Sequence, residues 1–494
     1  MVKQIFDFVC FIIYMVSVQN NHIYPYFRTN VPEIKQEPVN ITVPNFRAVS
    51  EKRSLPGFES ASQNMTTRTV LTQYEVPRYN QVASVLDKKD RKNLALALKS
   101  GVLLKSSSED RTTVLDNLYK IVTLPRLEGL TPETVARDVL NTVVNPAIIT
   151  QKFGDIPKEV RPQVLDYMTG GIADERERNR QERELDEMYS GCCVAASVEF
   201  NLAHRHPAEF ARFVEGLTSP AMEVKKTIDL EELSKNTVDA VWLLDAFEVP
   251  YELLDLNKAV LTLKPDKEAV IRARIQNYYR DKLERSSIDV LMQSTLMQLG
   301  TEQTYSSLLD KRGGKFSNED KGLIDFEKTF IESVVKNQDT TSVVYQTVDE
   351  NQRVVGQEAD YVTIKKQILE ALSMGENVII GYLLTDSTGM IENAHEITII
   401  DSRKTSTGET IFICNDTDDD VPYPIEYSES YLIPKIHHAG LPTAVAEKNM
   451  ELTDNWQILM RDFNELQKDK KNIVWTKEGR KWIQPHIIHI KMWS

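Results

Sequence analysis

The stretch Ser190-Gly191-Cys192-Cys193 delivers two adjacent thiols to the start of a segment with helical character, Val194-Ala195-Ala196-Ser197-Val198-Glu199-Phe200. A cysteine at a helix N-terminus has chemical consequences. The first-turn N–H groups and the helix dipole favour an anion, so a thiolate nucleophile becomes available near neutral pH. Such a nucleophile needs a proton carrier for its leaving group and a third group to orient the carrier. His395 and the pair Asn415-Asp416 supply candidates. They lie on two β-branched, alternating runs, Ala394 to Asp401 and Thr410 to Asp416, separated by a turn at Thr405 to Gly408. Paired as an antiparallel hairpin, the start of the first run lies beside the end of the second. An imidazole then meets a carboxamide or a carboxylate at one sheet edge. Cysteine, histidine and Asn or Asp in this order are the parts of thiol-dependent acyl transfer.

The elements that must position these groups can be read coarsely. Asn377 to Leu384 is a further strand, Thr341 to Thr347 is β-rich, and Ile364 to Met374 is helical. These runs predict consecutive antiparallel strands. Upstream, residues 68–180 read as a helical module, with Thr131 as N-cap and Pro132 at the first helical position of one member. Ile156 to Met168 reads as another helix. From about residue 78 to 170 the module holds no His or Cys, which suits support, a partner surface or a propeptide-like cover. The charged run Asp174 to Glu187 reads as a solvated helix face. Leu230 to Gly300 is expected to be mostly helical, with Ala269 to Leu299 its longest helix and Lys311 to Lys321 a polar loop. Residues of about 220–340 thus read as an insertion.

Composition narrows the classes of function. The 494-residue chain carries a net charge of −14 and no strongly basic domain, which argues against nucleic acid as a partner. Its 4 cysteines do not make a disulfide framework. His204 and His206 lack companion ligands, and His486 and His489 in the Trp-rich tail (446–494) read as incidental. No zinc quartet, P-loop, dinucleotide fingerprint or EF-hand loop occurs. The expectation is therefore no metal and no organic cofactor. Residues 1–19 form a possible signal or hydrophobic leader, and 20–67 a disordered arm rich in Pro, Asn, Ser and Thr. A signal would place the protein outside the cell or in its envelope, and otherwise it is cytoplasmic. Membrane association would come only through a retained leader.

Taken together, the cysteine, histidine and Asn-Asp segments resemble the papain-like cysteine peptidases. The nearer likeness is to the branch holding the bacterial double-glycine leader peptidases and their stand-alone relatives. Cys193 followed by Val194-Ala195-Ala196-Ser197 matches that family's helix start with smaller side chains. Ala394-His395-Glu396-Ile397-Thr398-Ile399-Ile400 is similar to its His-plus-strand motif. Asn415-Asp416, followed by acidic residues and Pro422, resembles its strand-end Asp. The resemblance implies Cys193 as nucleophile, with Cys192 the alternative, His395 as acid/base, and Asp416 as orienter, with Asn415 the alternative. It implies an α+β papain-like catalytic domain over 181–445, its nucleophile at a helix N-terminus packed on an antiparallel sheet, preceded by the helical module. The implied activity is hydrolysis of peptide or protein substrates through a thioester. A transglutaminase-like or amidase reaction would use the same triad, and an inactive binding module would keep only the fold. One departure stands out. Where the family places an oxyanion-binding Gln shortly before the nucleophile this chain has Glu187, leaving Gln181 as the candidate donor beside the Cys193 N–H.

Overall fold

A computed structural model describes residues 68–171, 174–186, 191–234, 240–279, 284–314, 322–349, 351–419 and 421–448. The expected leader, the arm, nearly all of the Trp-rich tail with His486 and His489, and Glu187 lie outside the described residues. The chain is a mixture of helix and sheet.

The N-terminal half is helical, and its helices start where local chemistry says they should. They are α1 (Glu75–Val85), α2 (Lys88–Lys99), α3 (Val114–Thr123) and α4 (Pro132–Val144). Asp87 accepts from the N–H groups of Lys89 and Asp90, Thr113 and Asp116 form a capping box, and Thr131 accepts from Thr134 N with Pro132 in the first turn. α5 (Arg161–Met168) begins later than Ile156. Pro157 disfavours helical backbone at Ile156, and Pro162 fits only a first turn. The charged α6 (Glu175–Asp186) buries only Leu185.

α7 (Cys193–Arg205) and α8 (Pro207–Leu217) follow, separated by His206, with Pro207 restarting the helix. The next region, expected to be mostly helical from Leu230 to Gly300, also holds strands. β1 (Val224–Asp229), β2 (Tyr251–Leu253) and β3 (Lys258–Leu263) form a small antiparallel sheet in the order β1-β3-β2. The period-2 pattern of β3, which buries Ala259, Leu261 and Leu263, is the strand signal that the helical reading passed over. The expected long helix is two: α9 (Ala269–Tyr279) and α10 (Ser287–Gly300). A capping box between Ser286 and Asp289 starts the second afresh. Every residue of α10 is buried. This segment is therefore interior to the fold rather than an appendage to it. α11 (Asp325–Lys336) is also almost wholly buried.

The C-terminal half contributes β4 (Thr340–Val344), β5 (Gln346–Val348), β6 (Val354–Gln357), α12 (Tyr361–Ser373), β7 (Val378–Thr385), β8 (Ile391–Lys404), β9 (Thr410–Asn415), β10 (Ile425–Ser428) and β11 (Ile436–Pro442). Six of these strands form an antiparallel sheet in the order β10-β9-β8-β7-β11-β4, while β5 and β6 make a separate hairpin. Alternation along β7 divides its side chains between two cores. Val378 and Ile380 join Ile364, Ile368 and Ala371 of α12, whereas Ile379 joins the helical core. That helical core is contiguous from Val82 to Ile379 and includes Ala195, Ala196 and Phe200 of α7. Each fully buried aliphatic or Phe side chain contributes about 1.5–3 kcal/mol to such a core. The change of composition near residue 180 is thus not a break in packing, and the N-terminal helices share one interior with the cysteine helix.

Candidate active site

Cys193 is the first residue of α7, and Cys192 caps it, its carbonyl accepting from Ala196 N at 2.8 Å. Buried Ala195, Ala196 and Ser197 let the helix pack closely. The turn before it is tightly enclosed. A Cβ on Gly322 would stand 2.9 Å from the Gly191 carbonyl oxygen, so only glycine allows that approach. Arg312 fixes the Gly322 segment, donating to the Gly322 carbonyl at 2.7 Å and forming a buried two-pronged pair with Glu327 at 2.6 Å.

His395 lies in β8, opposite Tyr382 of β7. Thr398 pairs with Asn415 in β9, which sets Asp416, one residue past the strand, beside His395. The imidazole donates from Nε2 to Asp416 Oδ1 at 2.7 Å. The same carboxylate oxygen accepts from Asp418 N at 2.8 Å, so it is held from two sides. Tyr382 covers the ring edge-on at 6.0 Å between centroids. The Cys193 thiol is the other neighbour that, with Asp416, favours the charged imidazole. With Nε2 on Asp416, Nδ1 is the nitrogen left for sulfur. Burial opposes a charge on His395, but Asp416 and Cys193 outweigh it and hold the ring well above the ordinary histidine value. Side-chain exposures of 11% for His395 and 8% for Asp416 leave the pair shielded yet not sealed.

The structure separates the alternatives left open above. Cys192 is fully buried, with Sγ 3.3 Å from Tyr305 Oη and 3.2 Å from Asp310 Oδ1. Burial and the Asp310 charge push its thiol far above the ordinary range, which keeps it protonated and inert. Cys193 is partly exposed and is the cysteine that meets His395. Asp416 rather than Asn415 holds the imidazole; Asn415 is buried, and its amide nitrogen has no partner among the described residues. Gln181 stands in α6, where its amide donates to Glu177 of the same helix at 3.0 Å. This gives it a partner within its own helix. His204 is stacked on Phe200 and meets Asn377 through Nδ1 at 3.1 Å, and burial lowers the pKa of both His204 and His206 to about 4. His204 is half-buried and His206 is exposed at the junction of α7 and α8.

A support the sequence did not reveal links the two ends of the site. Asp310, which meets Cys192 Sγ, also accepts from Tyr305 Oη at 2.6 Å and faces Arg285 at 3.6 Å. The Arg285 guanidinium lies over the Phe153 ring at 3.6 Å and donates to the Gln151 carbonyl. Gln151 N in turn donates to the Thr417 carbonyl at 3.0 Å, as does the Thr150 hydroxyl at 3.0 Å. Asn145 donates to the Pro422 carbonyl at 3.0 Å. The loop after α4 therefore braces both the turn before the nucleophile and the loop carrying Asp416. No local motif marks this set, because Gln151, Cys192, Arg285 and the Tyr305–Asp310 pair come from separate stretches of the chain. Comparison with family models, with curated proteins and with solved structures finds no match for the chain.

Proposed function

We propose that the protein is a cysteine peptidase of papain-like arrangement that cleaves amide bonds through a thioester. The observation that carries this reading is one imidazole held between Cys193 and Asp416 at the N-terminus of α7. A buried helix packed on an antiparallel sheet, with the nucleophile at its first residue, supports the papain-like arrangement. Cys193 passes its thiol proton to His395, and Sγ attacks the carbonyl carbon as the carbonyl π electrons move to oxygen. The Cys193 N–H, outside the helical ladder by its position, points at developing negative charge there. Collapse breaks the C–N bond as His395 gives its proton to the departing amine. Water then attacks the thioester while His395 accepts its proton, and the acid and free thiol are released. Asp416 keeps the ring oriented and stabilises its charged form.

The test is labelling of the purified full chain with a thiol-directed electrophile between pH about 4 and about 9, followed by peptide mapping. Rapid modification of Cys193 below pH about 8.5, the ordinary value of a free thiol, and its slowing in His395→Ala, support the reading. Labelling indifferent to His395 overturns it. An amide substrate offered with a competing amine then separates hydrolysis from transfer.

A further inference from the structure

We propose a second site, a binding site for a first-row divalent cation of the Zn2+ type, formed by Asp325, His437 and His438. His437 and His438 are neighbours on β11, and neighbours in a regular strand point to opposite faces. Here the strand is bulged. Ile436 pairs with Tyr382 and His438 with Gly381, so His437 is an extra residue without a place in that ladder. The bulge re-aims its ring, and the two Nδ1 atoms stand 2.8 Å apart with rings nearly perpendicular, at 86°. Asp325, the first residue of α11, brings Oδ1 to 3.3 Å from His438 Nδ1. All three donor atoms lie within 4.8 Å of one another.

The surroundings are those of a ligand set. Glu396 Oε1 lies 2.7 Å from His438 Nε2, a carboxylate beside the far nitrogen such as metal-binding histidines commonly have. Lys328 balances Glu396 from 3.3 Å. Gly381 makes room, since a Cβ there would meet His438 Cε1 at 2.2 Å and Glu396 Oε1 at 2.7 Å. Each nitrogen of His438 thus stands near a carboxylate oxygen, and His437 Nδ1, hydrogen-bonded to His438 Nδ1, converges with Asp325 on the same point, where a cation would take the place of that hydrogen bond. For bonds of about 2.0–2.1 Å a tetrahedral ligand–ligand edge is about 3.3–3.4 Å. The His438–Asp325 separation of 3.3 Å already fits, and the two histidines need to part by about 0.5 Å. Two imidazoles and one carboxylate leave a fourth position for water. The ion would clamp the start of α11 to β11.

The site is independent of the thiol chemistry, and the experiment keeps it so. Full-length Cys193→Ser protein is titrated with Co2+, read by its visible d–d absorption, and with Zn2+ by equilibrium dialysis. The expected result is one Co2+ per chain without a sulfur-to-cobalt charge-transfer band, displaced by Zn2+. His437→Ala and Asp325→Asn should each weaken binding at least about 100-fold, and Glu396→Gln about 10–100-fold. Near-UV circular dichroism of the metal-free variants reports their folding, and the unsubstituted cluster is measured directly whatever they do. No d–d absorption, a thiolate spectrum, or affinity unchanged in well-folded His437→Ala overturns the proposal and leaves His437 and His438 a hydrogen-bonded pair.

Discussion

Two clusters of polar side chains share the strand β8. His395 works with Cys193 and Asp416, and its neighbour Glu396 works with His438 and Lys328. In the first, one imidazole links a thiol to a carboxylate, and the thiol is a partly exposed side chain able to attack. In the second, both nitrogens of an imidazole face carboxylates and no nucleophile is present. In the proposed chemistry the same ring would carry protons in one setting and serve as a ligand in the other. What differs is the third party: a polarizable sulfur at a helix N-terminus against a second imidazole brought round by a bulge. Similar chemistry is repeated within the cysteine pair itself, where Cys193 meets the imidazole and Cys192 is locked against Asp310 and Tyr305.

The sharpest way to break this division of labour is to remove the sulfur. Cys193→Ser should lower amide hydrolysis by at least about 10⁴-fold, read in single-turnover assays, since triad members act as a unit. Cys192→Ser should retain labelling at Cys193, and loss of labelling there instead would reverse the assignment of the pair. Asp416→Asn should cost about 10²–10⁴-fold in kcat by releasing the ring orientation, whereas Asn415→Ala should leave the electrophile labelling rate within a few-fold.

Stability measurements probe the frames of the two clusters. Asp310→Asn removes the charge facing buried Arg285 and should lower unfolding free energy by about 3–5 kcal/mol, seen as a lower denaturant midpoint. Glu396→Gln should do likewise by leaving Lys328 unpaired. It should also flatten the acid limb. Burial alone would raise the Glu396 pKa, but His438 and Lys328 lower it to about 2. Its stabilisation is therefore complete above the ordinary value near 4.5 and lost as pH falls through about 2. His395 gives the opposite effect. Its folded-state value is raised, so its stabilisation is complete below about 6.5 and is lost as pH rises through the folded value. The stability gap between the wild type and His395→Ala should accordingly narrow at alkaline pH in thermal melts.

Much of the site was legible because its signals are local. Small residues after Cys193 announce a close-packed helix, and β-branched alternation announces β7, β8 and β9 and hence the hairpin that joins His395 to Asp416. The region from Leu230 to Gly300 was read less well. Its strands are short, and the 14-residue α10 is apolar and polar on all sides because it is buried all round, which erases the amphipathic period. Glu187 lies outside the described residues and Gln181 turned to its own helix, so spacing alone did not identify an oxyanion donor.

The amino-acid sequence by itself determined the chemical inventory: which thiols, imidazoles and carboxylates exist, and which of them start a helix or end a strand. Those properties follow from backbone preferences within a few residues. Tertiary structure decided the rest. It buried Cys192 and left Cys193 accessible, although the two are adjacent. It ran a chain of buried contacts from Cys192 through Asp310, Arg285 and Gln151 to Thr417, most of whose steps join residues more than a hundred positions apart. It bulged β11 so that His437 and His438 meet Asp325. Desolvation and the pairing of distant charges depend on what packs against a side chain, and only the folded chain supplies that.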